Sequence, residues 1–150
     1  AEQLLLSLNQ PDPEIDAIWA VEAESRLTAY QIGEAEAVSF SDILESKAED
    51  GGQTTQACQT EFEDGIAYYE SEQAGLGETF RSEVLRSISR IIQFPSAYQQ
   101  FSKDTRRCLT EKFPYGIVYH HSPDHDEIVV VAIAHLHRRP DYWTSRESSI

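Results

Sequence analysis

Ile128-Val129-Val130-Val131-Ala132-Ile133-Ala134 is an unbroken apolar, mostly β-branched run. A run of this kind fits a strand covered on both faces, at the centre of a sheet. It therefore demands two layers of covering structure, one above and one below. Polar residues follow at once: His135, His137, Arg138, Arg139, Tyr142 and Trp143. Pro140 prevents the segment from continuing as a central strand. The strand so delivers a basic, aromatic cluster to one edge of the core, where binding and catalytic groups are often placed. The same cluster would also serve merely to close the core, with its arginines in solvent.

Charge is distributed unevenly along the 150 residues, whose formal net charge is −14. Residues 1–50 hold twelve acids and two bases, Arg26 and Lys47, a net of −10. Residues 51–150 hold fourteen acids and ten bases, a net of −4. All five histidines lie between Phe101 and Arg146, beside seven of the bases. Acidic and more basic portions of one chain can neutralise each other across an interface. Cys58 and Cys108, the two cysteines, form neither a metal motif nor a disulfide framework. They suit a reducing cytoplasm, with a single bridge left open. No secretory leader and no apolar stretch of bilayer-spanning length can be read, so no membrane partner is expected. Methionine is absent, so residue 1 reads as a trimmed or assembled start.

In chain order, Asp12-Pro13 reads as an N-cap followed by proline at the first helical position. A helix is predicted from there to about Ile32, with Ile15, Trp19, Ala23, Leu27 and Tyr30 as one apolar stripe and Gly33 as its stop. Val38 and Phe40 alternate against Ser39 and predict a short edge strand over 37–40. A second short helix is predicted from Asp42 to about Ala48. Such one-striped helices are marginal alone, so segment 1–48 should wrap around something else. Residues 49–56 are polar with paired glycines and read as a linker. Two helices follow, about 60–73 and 78–93, turning at Ala74-Gly75-Leu76-Gly77. Alternation then predicts strands over 105–113 and 115–121, a loop at 122–126, and the central strand. The predicted class is α+β: an α-hairpin packed on an antiparallel sheet over 57–150, wrapped by the helical segment 1–48.

The stretches EFEDGIAYYESEQAGLGETFRSEV, KFPYGIVY and EIVVVAIAHLHRRPDYW, in this order, resemble the RelE/ParE family of bacterial toxins from type II toxin–antitoxin systems. LLLSLNQPDPEIDAIWAVEAESRLTAYQIGEAEAVSF resembles the C-terminal part of addiction-module-component antitoxins. The resemblance implies an antitoxin segment fused ahead of a toxin and bound to it through Ile15, Trp19, Leu27, Tyr30, Val38 and Phe40. It implies a cytoplasmic protein without cofactor or metal, and for the free toxin either DNA gyrase or ribosome-bound mRNA as target. The antitoxin half that usually supports DNA binding is missing, so DNA binding is not expected. Toxins of this family usually begin with a strand, and the linker stands in its place. An inactive remnant that only binds protein is thus a third reading.

If the toxin cleaves mRNA, basic groups must orient the phosphate, activate the 2′-hydroxyl and stabilise charge on phosphorus. Arg106, Arg107, Lys112, His135, Arg138 and Tyr142 are the candidate catalytic residues. His135 titrates in the right range for a proton shuttle, and Arg138 can hold a phosphate bidentately. His120, His121 and His125 show no convincing metal-ligand spacing. The acids of the N-terminal segment, among them Glu22, Glu24, Glu34 and Glu36, should lie near Arg106, Arg107 or Arg138. Segment 37–40 should dock on an edge of the toxin sheet.

Overall fold

The computed structural model describes residues 12–33, 37–39, 52–122, 124 and 127–140. Its elements in chain order are α1 (Pro13–Gln31), β1 (Ala37–Ser39), β2 (Gly52–Thr55), α2 (Gln56–Glu72), α3 (Leu76–Gln93), β3 (Arg106–Leu109), β4 (Tyr115–Ser122) and β5 (Glu127–His135). The predicted short helix 42–48, Phe40, Tyr142 and Trp143 lie outside the described residues.

The five strands form one sheet in the order β1-β2-β5-β4-β3, with β5 at its centre. Seven consecutive residues of β5, Ile128 to Ala134, are buried. β3, β4 and β5 pair antiparallel. The sheet is nevertheless mixed, because β2 pairs parallel with β5 through Gly52↔Ile128, Gln53↔Val129 and Thr54↔Val130. This departs from both the antiparallel sheet and the linker expected over 49–56. The strand escaped notice because Gly52-Gln53-Thr54-Thr55 has no apolar alternation. Its hydrogen bonds come from lying beside β5, a long-range condition. Thr54 Oγ1 donates to the carbonyl of Val130 at 3.2 Å, and Thr55 Oγ1 to that of Val131 at 3.4 Å. Thr55 also caps α2, its hydroxyl accepting from the Cys58 N–H.

β1 lies antiparallel on the outer edge of β2, with Ala37↔Thr55, Val38↔Thr54 and Ser39↔Gln53. The N-terminal segment thus adds a strand to the sheet edge, beyond a first strand that is present after all.

The sheet has two covered faces. On one, α2 and α3 bring Phe62, Phe80, Val84 and Ile91 against Ile117, Tyr119, Val130 and Ile133. On the other, α1 brings Trp19, Ala23 and Leu27 against Val118, Val129, Val131, Ala132 and Ala134. The register shifts at Val118/Tyr119, whose partners are Ala132 and Val130, so Val131 is skipped by the ladder. The resulting bulge turns both Val131 and Ala132 to the α1 face.

The α-hairpin closes tightly at Gly77. A Cβ there would stand 2.6 Å from the Ile66 carbonyl oxygen and 2.9 Å from the Glu70 Cβ. The first contact is with backbone, which cannot swing away. Gly77→Ala should therefore cost about 1–3 kcal/mol by overpacking, read as a fall in Tm of roughly 3–10 °C in a thermal melt. An unchanged Tm would mean that the helices do not meet this closely.

Candidate functional site: the face covered by the first helix

α1 is built by local rules. The Asp12 side chain accepts from the Glu14 N–H at 2.9 Å, Pro13 starts the first turn, and Gly33 leaves the helix at φ +83°. Its stripe then packs on β5 and β4. Trp19 and Leu27 are 1% and 2% exposed, and Ile15 and Tyr30 are partly buried on the same cluster. Full burial of a large apolar side chain contributes about 1.5–3 kcal/mol.

Polar contacts fix the helix along its length. The Trp19 indole N–H donates to the Arg138 carbonyl at 2.7 Å, and the Tyr30 hydroxyl donates to Glu127 at 3.0 Å. Burial and the Glu127 carboxylate push the Tyr30 hydroxyl up to about 12. Asp16 takes both Nη atoms of Arg107, at 2.7 and 3.1 Å, while that guanidinium lies 4.4 Å over the Phe101 ring. Glu24 accepts from the Ser102 hydroxyl and from the Asp104 N–H. Burial works to raise the Glu24 carboxyl, but those bonds and nearby Lys103 outweigh it and hold it below the usual range.

The centre of the face holds a contact that was not foreseen. Arg26 and Glu61 of α2 form a two-point pair, Nη1 to Oε1 at 2.9 Å and Nη2 to Oε2 at 2.7 Å. Arg26 also donates from Nη1 to the Val131 carbonyl at 2.9 Å and from Nε to Glu22 at 2.8 Å. Glu61 is 6% exposed and accepts the Ile133 N–H at 3.1 Å. The guanidinium lies 5.6 Å from the centroid of the Trp19 ring. Burial opposes the charge of Arg26, yet the two glutamates raise its pKa further. Glu61 is pushed up by burial and drawn back by Arg26. No local spacing announces this pair, since Glu61 lies thirty-five residues away from Arg26.

The expected meeting of N-terminal acids with Arg106, Arg107 or Arg138 occurs at one of these bases, through an acid other than the four glutamates named for it. Asp16, not one of the glutamates, meets Arg107. Glu22 turns to Arg26 of its own helix, Glu24 binds the 102–104 loop, and Glu34 and Glu36 lie outside the described residues.

Of the six candidate catalytic residues, five are described, and they fall into two groups: Arg106 and Arg107 on β3, and Lys112, His135 and Arg138 at one end of the sheet. Arg106 and Arg107 alternate to opposite faces of the sheet; Arg106 donates to the Tyr98 carbonyl at 2.7 Å and lines an open cavity of about 270 Å³ with His120 and His121. Lys112 lies in the β3–β4 turn, which Glu83 holds through the Glu111 N–H at 3.0 Å. His135 closes β5 at that same end, where the Leu136 N–H reaches the Pro114 carbonyl at 2.8 Å. Its ring contacts Tyr115 at 4.9 Å, and its Nδ1 accepts the His137 N–H at 3.0 Å. Arg138 follows, three residues on, and Tyr142 is outside the described residues. Burial, with Arg138 and His137, lowers His135 to about 4. Among the described residues no group of three His, Cys, Asp or Glu is placed to hold a metal, and no helix is long and apolar enough to cross a membrane. Cys58 and Cys108 are both buried and free, and burial pushes the Cys58 thiol up to about 12.

Comparison with known proteins gives this arrangement its place. Residues 53–140 match the ParE toxin of the type II toxin–antitoxin system parDE. The chain belongs to the ParE toxin family. Residues 1–43 match the addiction module component family, so an antitoxin portion precedes the toxin in one chain. A chain of the chromosomal ParDE TA system from P. aeruginosa shares the fold, with a TM-score of 0.51 at 12% identity, over 61% of this chain and 99% of that one. No curated protein matches the chain significantly. The ParE match begins inside β2, so the strand that pairs parallel with β5 falls within the matched region.

His135 carries a consequence for stability. Its folded pKa is depressed to about 4 from 6.5, so the unfolded chain binds its proton first as pH falls. The stabilisation from keeping it neutral is full above pH 6.5 and is lost as pH falls toward 4. The difference is on the order of 3 kcal/mol. Urea unfolding at pH 7 and pH 4.5 should show a smaller loss for His135→Gln than for the unchanged protein; equal losses would contradict a half-buried imidazole held neutral.

Proposed function

We propose that the antitoxin portion neutralises the ParE toxin within the same chain, by holding α1 across the open sheet face and β1 along the edge of β2. The observation that carries this reading is the burial of Trp19 and Leu27 against β4 and β5. Exposed ion pairs contribute only about 0–1 kcal/mol each. The apolar stripe and the buried contacts therefore supply most of the binding.

For the freed toxin we propose a non-enzymatic action, in which the surface uncovered by α1 binds a protein target, DNA gyrase being the candidate. Two observations favour this over mRNA cleavage. Arg106 and Arg107 lie on opposite faces of β3, so they cannot both join Lys112, His135 and Arg138 at one centre, whereas a phosphoryl transfer needs its groups within hydrogen-bond reach of one reacting centre. A histidine held near 4 is also poorly matched to proton transfer at neutral pH.

The test uses the full chain in bacterial cells. Trp19→Ala with Leu27→Ala removes about 5 kcal/mol or more of packing and should arrest growth. Glu22→Gln with Glu24→Gln should leave growth nearly unchanged. In extracts, the arrested cells should show inhibited gyrase supercoiling with intact mRNA. Cleaved mRNA on translating ribosomes would instead establish the ribonuclease reading. Arrest by the glutamine pair and not by the alanine pair would overturn the account of neutralisation.

A further inference from the structure

The antitoxin portion is acidic, yet at its centre it hands the toxin a base. Arg26 is one of two bases in residues 1–50 and the only one in α1. It meets a toxin carboxylate that is 6% exposed, and the pair is bidentate. Both groups are hydrogen-bonded beyond the pair itself. Arg26 also serves Glu22 and the bulged Val131 carbonyl, and Glu61 also accepts from the Ile133 N–H. At the flanks of α1 the polarity is the reverse, with Asp16 on Arg107 and Glu24 on the 102–104 loop.

A satisfied buried ion pair adds little net stability over apolar residues of the same shape, because both ions are desolvated. Removing one partner is different, since it leaves a buried charge uncompensated. Such a pair therefore discriminates more than it stabilises. Any helix of similar apolar stripe that lacks a base at this turn must bury Glu61 alone or leave the face.

From this we propose that Glu61 is the residue by which the toxin portion selects its antitoxin helix, and that Arg26 is the matching determinant. The proposal rests on the reading of α1 as the neutralising element. It extends that reading from an apolar cover to a recognition code: an acidic helix with one arginine that reaches across to α2. The flanking contacts orient the helix, and the Arg26–Glu61 pair decides which helix is accepted.

A double-mutant cycle in the full chain tests this, with Arg26→Met, Glu61→Gln and both together. Opening of α1 is read by hydrogen exchange at the amides of Ala23 to Leu27, and integrity of the sheet by exchange in β4 and β5. Arg26→Met beside Glu61 should raise the opening constant of α1 by about a hundredfold or more. The same substitution beside Glu61→Gln should raise it by less than about tenfold, because no charge is stranded. Exchange in β4 and β5 should change little in the double variant, which keeps the cycle interpretable if Arg26→Met alone also loosens the sheet. Equal effects of Arg26→Met in both backgrounds would overturn the proposal. Exchange reads the pairing whether or not the toxin is active, so failure of the cycle is distinct from failure of the growth-arrest test.

Discussion

The structure depends on the two-sided burial of β5. Seven consecutive apolar residues cannot sit at a sheet surface, so both faces must be covered. The α2–α3 hairpin covers one face from within the toxin portion. The other face is covered by α1, from the antitoxin portion. Docking of the antitoxin helix and completion of the core are thus one physical event here: α1 closes a two-sided core that the toxin portion leaves half open.

The bulge at Val131 links the two halves of that event. It turns Val131 and Ala132 toward α1 and takes Val131 out of the β4–β5 ladder. The Val131 carbonyl also lies beyond the last β2–β5 pair, Thr54↔Val130, and a buried carbonyl there needs a partner. Arg26 supplies one from α1 and Thr55 another from the end of β2. One irregular residue in the central strand is consequently tied to the antitoxin helix, to the first toxin strand and, through Thr55, to the cap of α2.

The cluster at the end of β5 serves order more than reactivity in this state. His135 is packed on Tyr115 and accepts a backbone N–H, and the carbonyl of Arg138 receives the Trp19 indole. The His135 ring and the Arg138 backbone are thereby engaged in closing the core and seating α1.

Local chemistry was legible without a structure. Asp12, Pro13 and Gly33 bound the first helix, its stripe of Ile15, Trp19, Leu27 and Tyr30 marks its buried side, and the β-branched run marks the sheet centre, because caps and periodicity act within a few residues. Three things were decided only by tertiary structure. Gly52–Thr55 becomes a strand because β5 lies beside it to take its hydrogen bonds, and nothing in four polar residues announces that. Arg107 meets Asp16, ninety-one residues away, because α1 packs on the face of β3 to which Arg107 turns. Arg26 finds Glu61 rather than solvent because both side chains, from helices on opposite faces, reach the edge of β5 beyond the end of β2. Sequence fixes what each segment prefers locally; which charge is buried against which depends on how distant segments stack, and that is set by the fold alone.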